Sequence, residues 1–161
     1  MNLLKNFRIG LAVENIQYDW GDIMSVIHAY LAKSSDPYSH ERLASELSAY
    51  FDFETKNGLE IGASANPFTK QKYLILRWPG WNFTAHFETG SNVAADVNYI
   101  ASTIKDCPPE ITDCTERIRF VFSPDEGREF TNHIIWAIDY LAEIPSAIIF
   151  DESQKTIVRG W

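Results

Sequence analysis

Apolar and polar residues alternate most strictly from Trp81 to Glu88. Trp81, Phe83, Ala85 and Phe87 share one side, and Asn82, Thr84, His86 and Glu88 share the other. A period of two predicts an antiparallel strand with one face in a core. Lys72 to Trp78 reads as the strand before it, broken by the turn residues Pro79-Gly80. A second alternation sets Ile118, Phe120 and Phe122 against Arg117, Arg119 and Val121 and predicts another strand. Phe7 to Glu14 reads as a first strand, and Ala147 to Phe150 with Thr156 to Val158 as a closing hairpin.

Elsewhere the spacing is helical. Ile23, Val26, Ile27, Tyr30 and Leu31 follow an i, i+3, i+4, i+7, i+8 stripe, with Asp19 and Asp22 placed like a capping box, so a helix ending near Lys33 is expected. Ser39 opens a second helix carrying Leu43, Leu47, Tyr50 and Phe51 on one side. Phe51 and Phe53 then alternate, Asn57-Gly58 is a strong hairpin signal, and Leu59 and Ile61 resume alternation, which predicts a hairpin after Tyr50. Thr89-Gly90-Ser91-Asn92 leads into a helix striped by Val93, Val97, Ile100, Ala101 and Ile104. Asp106 to Glu116 is a loop, because Pro108-Pro109 forbids a helix there, and Ser123 to Glu129 is a polar turn. A last helix from Thr131 to Glu143 turns Ile134, Ile135, Ile138 and Leu141 inward and is stopped by Pro145. The expected order is β-α-α-β-β-β-β-α-β-α-β-β. It predicts one α+β domain over residues 1–161, with an antiparallel or mixed sheet of about six to seven strands and about four helices, mainly on one face.

Composition supports a packed core. The chain has 161 residues, 45% of them hydrophobic, and 14% aromatic, enough to fold without metal or disulfide staples. Twenty-two acidic residues against fourteen basic ones give a formal net charge of −8, which opposes nucleic acid and anionic membrane as ligands. Lys5 and Arg8 interrupt any apolar leader, no stretch approaches the roughly 18 apolar residues of a membrane span, and a cytoplasmic protein is expected.

Candidate chemistry is sparse. The chain carries no Walker A sequence, no glycine fingerprint after a strand, no H-E-x-x-H and no paired C-x-x-C, so no cofactor and no metal site are expected. The histidines, His28, His40, His86 and His133, are scattered. His86, beside Thr84 and Glu88 on one strand side, is the best placed to act as a base, although any solvent-facing strand shows the same pattern. Cys107 and Cys114 sit among Asp106, Glu110, Asp113 and Glu116, neighbours that oppose thiolate formation.

Charge is more suggestive. Asp106, Glu110, Asp113 and Glu116 occupy one loop, and Asp125, Glu126 and Glu129 the turn after the next strand, some 20 Å away at about 3.3 Å per residue. Either group would steer a basic partner, or serve only as a solvated loop. Trp78 and Trp81 bracket a turn, which makes Trp78 a candidate contact at a binding surface.

Taken together, the Trp78-Pro79-Gly80-Trp81 hairpin, the strand running into a helix up to Ile104, and the closing helix and hairpin from Phe130 to Val158, with Ala147-Ile148-Ile149-Phe150-Asp151 inside it, resemble the small bacterial immunity proteins. Those proteins neutralise toxins passed between competing cells. The resemblance implies a cytoplasmic, often acidic, single-domain protein that binds one cognate toxin tightly, and it assigns no functional residue. With the net charge of −8 and no catalytic motif, no enzyme activity and a basic toxin domain as partner are expected. The expectation is a binding protein that docks an acidic or aromatic surface on its toxin. The contact set would be Asp106, Glu110, Asp113, Glu116, Asp125, Glu126, Glu129 and Trp78. A hydrolase-like enzyme using His86 with Glu88, or an accessory subunit of a larger assembly, stays open beside it.

Overall fold

The computed structural model describes residues 25–158. Its strands are β1 (Ser25–Ala32), β2 (Glu60–Ala65), β3 (Lys72–Trp78), β4 (Trp81–Thr89), β5 (Cys114–Phe122), β6 (Ile148–Asp151) and β7 (Thr156–Val158). They form one seven-stranded sheet in the order β2-β3-β4-β5-β1-β6-β7, antiparallel at every pairing. The α-helices among the described residues are α1 (His40–Tyr50), α2 (Ser91–Thr103) and α3 (Thr131–Glu143), with short 3-10 turns at Asp52–Asn57 and Pro109–Asp113. The fold is α+β.

The strict alternation of β4 settles which side is the core. Trp81, Phe83 and Ala85 are buried on one face of the sheet together with Ile118, Phe120 and Phe122 of β5 and Ile27, Ala29 and Leu31 of β1. Helix α1 covers this face over β3 and β4, and α3 covers it over β1 and β6. Leu43 and Leu47 of α1 and Ile134, Ile135, Ile138 and Leu141 of α3 supply their buried stripes. Ser39 caps α1 by accepting the Arg42 N–H at 3.0 Å, which meets one of the unpaired donors of the first turn.

Helix α2 lies on the opposite face. Val93, Val97 and Ile100 pack there with Tyr30, Cys114 and Phe150, side chains that point away from the main core. Ala101, expected in that stripe, is exposed.

Two expected elements are replaced. The helix over Ile23 to Lys33 is instead β1, with strand spacing from Ser25 to Ala32. Paired with β5 on one side and β6 on the other, and covered on both faces, β1 needs apolar residues at almost every position, and such a run also satisfies a helical stripe. The hairpin expected at Asn57-Gly58 is the end of a 3-10 turn. Gly58 takes φ +86° and its N–H bonds back to Glu54 and Thr55. A Cβ at Gly58 would also sit 3.1 Å from the Pro79 ring. The first strand, Phe7 to Glu14, and the capping residues Asp19 and Asp22 lie outside the described residues.

Candidate functional site

The residues singled out from the sequence do not converge. Asp106, Glu110 and Asp113 are exposed and Glu116 is half-buried at the start of β5, while Glu126 and Glu129 are exposed beyond its other end. The two acidic groups therefore stand apart. Asp125 is 6% exposed, and its carboxylate accepts the backbone N–H of Glu129 and Phe130, both at 3.0 Å. It holds the turn into α3 and offers nothing to a partner. Trp78 is 3% exposed and donates its indole N–H to Glu54 Oε2 at 2.9 Å. Its place at the turn does not bring it to the surface, because Trp78 pairs directly with Trp81 and residues opposite each other in a ladder share a face.

On the α2 side of the sheet the polar residues form ionic and hydrogen-bonded sets. Arg117 donates to Glu88 through Nε at 3.2 Å and NH2 at 2.7 Å, to the Tyr30 hydroxyl at 3.3 Å, and to Asp96 of α2. Arg119 donates to the other Glu88 oxygen. Burial would raise the Glu88 carboxyl, but hydrogen bonds from Arg117 and Arg119 outweigh it and hold the group below its ordinary range. Glu88 is thereby committed to two arginines. His86 instead meets Thr84 Oγ1 at 2.9 Å and stacks on Tyr73, ring centroids 5.1 Å apart. Burial, with Arg119 beside it, pushes His86 down to about 4. It is neutral at pH 7, and its hydrogen bond goes to a hydroxyl rather than to a carboxylate.

His28 lies next to this set and lines a cleft of about 160 Å³ with Asp96, Tyr99, Glu152 and Lys155. Its Nε2 is 2.7 Å from Glu152 Oε2. A carboxylate only accepts, so Nε2 carries the hydrogen. Among the described residues no group of His, Cys, Asp and Glu is placed to hold a metal ion, and no helix is long and apolar enough to cross a membrane. Cys114 is buried and free, and burial with Asp113 nearby pushes its thiol up to about 11.

A second concave feature lies on the other side, between α1 and α3. It is a groove of about 470 Å³ lined by Tyr38, Arg42, Glu46, Tyr50, Tyr140 and Glu143, with Ala49, Ile144 and Pro145 as its apolar part. Helix geometry builds it. Arg42, Glu46 and Tyr50 follow Tyr38 at intervals of four residues, so they run along one side of α1. Trp136 and Tyr140 do the same on α3. At one end Tyr38 donates to Glu46 and lies 2.6 Å from the Tyr140 hydroxyl, and Tyr140 reaches the same Glu46 oxygen at 3.1 Å. Burial and then the Glu46 hydrogen bond push Tyr38 up to about 12.

At the other end Tyr50 meets Tyr140 edge-on at 5.3 Å. Burial, with Asp139 and Glu143 beside it, pushes Tyr50 up to about 12. The aromatic surface continues outward from here. Phe53, 47% exposed, stacks over Phe51 and meets Trp136 edge-on at 5.1 Å. From the sequence, Tyr50 and Phe53 read only as element-forming residues, and none of this group reads as a binding residue. The signal available was the four-residue spacing of aromatic and charged residues beside each apolar stripe.

Compared with known proteins, the chain matches no protein-family model, no curated protein and no solved structure.

Proposed function

We propose that this chain is a binding protein of the toxin-neutralising kind, which docks the α1–α3 groove and its aromatic margin onto a basic surface of one partner protein in the cytoplasm. The observation that carries the reading is the juxtaposition of exposed and half-exposed aromatics, Phe53, Trp136 and Tyr50, with the carboxylates of Asp139 and Glu143, which have no cationic partner among the described residues. Large aromatic side chains supply contact area at low entropic cost and are enriched where binding energy concentrates. The carboxylates, set in a chain of net charge −8, favour a basic partner and speed its approach. The exposed acids Glu110, Asp113, Glu126 and Glu129 add to the net negative charge of the surface.

The test is a titration of the purified chain against the product of the gene adjacent to its own. Submicromolar association is expected, with an on-rate that falls steeply as salt is raised. A Phe53→Ser, Trp136→Ser variant should lose at least roughly tenfold in affinity, about 1.4 kcal/mol. Association indifferent to that variant would place the interface elsewhere, and no association at micromolar concentration would remove this partner.

A further inference from the structure

The chain already binds one guanidinium of its own in the groove. Arg42 lies over the Tyr38 ring, its Cζ 4.3 Å from the centroid. Its Nε faces Glu46 at 3.4 Å, and NH1 lies 3.2 Å from an Asp36 carboxylate oxygen. One aromatic ring, two carboxylates and the Asp36 backbone carbonyl, which accepts from NH1 at 3.0 Å, thus hold an arginine head on this surface. The Tyr50 end offers an aromatic ring and two carboxylates with, among the described residues, no cation paired to them. Tyr50 is half-buried, lines the groove together with Glu143 and meets Tyr140 of α3 edge-on. Asp139, beside Tyr140 and one turn before Glu143, acts with Glu143 electrostatically on the Tyr50 hydroxyl. Asp139 and Glu143 are four residues apart on α3, an arrangement in which like charges repel. Burial and then Glu143 raise the Asp139 carboxyl. A cation placed between them would relieve that repulsion. Beside them Ala49, Ile144 and Pro145 give an apolar strip, along which the methylene stem of a long cationic side chain can lie.

We propose that the Tyr50–Asp139–Glu143 end of the groove is the seat for one arginine side chain presented by the partner, with its guanidinium on the Tyr50 ring and its N–H groups on the two carboxylates. Arginine fits better than lysine because a planar guanidinium stacks on an aromatic face and can serve two carboxylates at once, whereas an ammonium is a compact, strongly hydrated point charge. This proposal rests on the binding-protein reading for its biological partner, but its chemistry is testable alone.

The probe is N-acetyl-arginine amide, titrated into the isotopically labelled full chain and followed by NMR. Saturable shifts are expected at Tyr50, Asp139, Glu143 and Ile144. The neutral isostere N-acetyl-citrulline amide should give none, and the lysine analogue should bind several-fold more weakly. Asp139→Asn with Glu143→Gln should reduce the arginine affinity at least roughly tenfold. Both positions lie at the surface of α3, and an unchanged circular dichroism spectrum would confirm that the variant is folded. Shifts that do not saturate by 100 mM, that map elsewhere, that citrulline reproduces, or that survive the double variant each overturn the proposal. A partner captured with normal affinity by that double variant would overturn the arginine seat while leaving the binding-protein reading intact. Arginine binding without any captured partner would do the reverse.

Discussion

Replacing Arg117 by Met tests the logic of the sheet face beneath α2. Arg117 is 6% exposed and Glu88 9%. The arginine ties β5 to β4 through Glu88, to β1 through the Tyr30 hydroxyl and to α2 through Asp96. Methionine keeps much of the volume, so the variant reports the charge and its hydrogen bonds rather than a cavity. Removing one partner of a buried ion pair costs about 3–5 kcal/mol, because the other charge is left uncompensated. Arg119 still serves one Glu88 oxygen, which places the expected loss near the low end, about 3 kcal/mol. For a chain of this size that is roughly 6–12 °C in Tm. Urea unfolding followed by the fluorescence of Trp78 and Trp81, buried in the core, would measure it.

The pH dependence is the sharper part of this prediction. In the native protein the Glu88 carboxyl is depressed, so its contribution to stability is present above the unfolded carboxylate pKa and lost as pH falls through the folded value. Without Arg117, burial has less opposing it and the carboxyl rises. The variant then recovers part of its loss when the pH is lowered from 7 to 5, since the buried group can be protonated. A cost under about 1 kcal/mol at pH 7, or a cost equal at the two pH values, would refute the account of Glu88 as a charge held in place by Arg117.

Three further outcomes follow from the same structure. Gly58→Ala should destabilise by roughly 1–2 kcal/mol in urea unfolding, from the left-handed backbone and the Pro79 contact together; a neutral result would show that the 3-10 turn does not need a glycine there. The His86 ring should stay neutral from pH 8 down to 5, with its NMR midpoint near the value of about 4 set by burial and Arg119; a midpoint near 6.5 would reopen it as a base. Burial raises the Asp151 carboxyl to about 6, so the stability it contributes is present below its unfolded pKa of 3.8 and is lost as pH rises through about 6. Asp151→Asn should therefore remove a decline in stability between about pH 4 and 6, and parallel stability profiles for the two proteins would count against that.

Strands with one face in the main core were legible because their alternation records the difference between the two faces. That holds for β3, β4 and β5. It failed for β1, where His28 is 4% exposed and Tyr30 1% although they face away from Ile27 and Ala29. A strand buried on both sides loses the alternation that would identify it. Trp78 was legible in principle, since placing Trp81 in the core across a two-residue turn obliges its ladder partner to follow. The groove was only half legible. The spacing from Tyr38 to Tyr50 marks a side of α1, but nothing local shows that this side will face Tyr140 of a helix far along the chain. The acidic loops were easy to find because charge runs are local, and for the same reason they carried no information about convergence.

The position of β1 has a consequence for how the protein is made. Ser25 pairs with Phe122 and Ile27 with Asp151, so an interior strand of the finished sheet waits for partners encoded much later. β2, β3 and β4 form a meander that can close as soon as it leaves the ribosome. At about 5–20 residues per second, β1 stays unpaired for roughly 5–20 s after it is synthesised. During that time Val-Ile-His-Ala-Tyr-Leu, from Val26 to Leu31, is an apolar, uncharged, strand-prone segment without a ladder on either side, the kind that seeds aggregation. Slower translation lengthens this exposure, and a chaperone that shields the segment removes it. The yield of folded chain should therefore respond to synthesis rate and chaperone supply even in variants whose finished stability is unchanged.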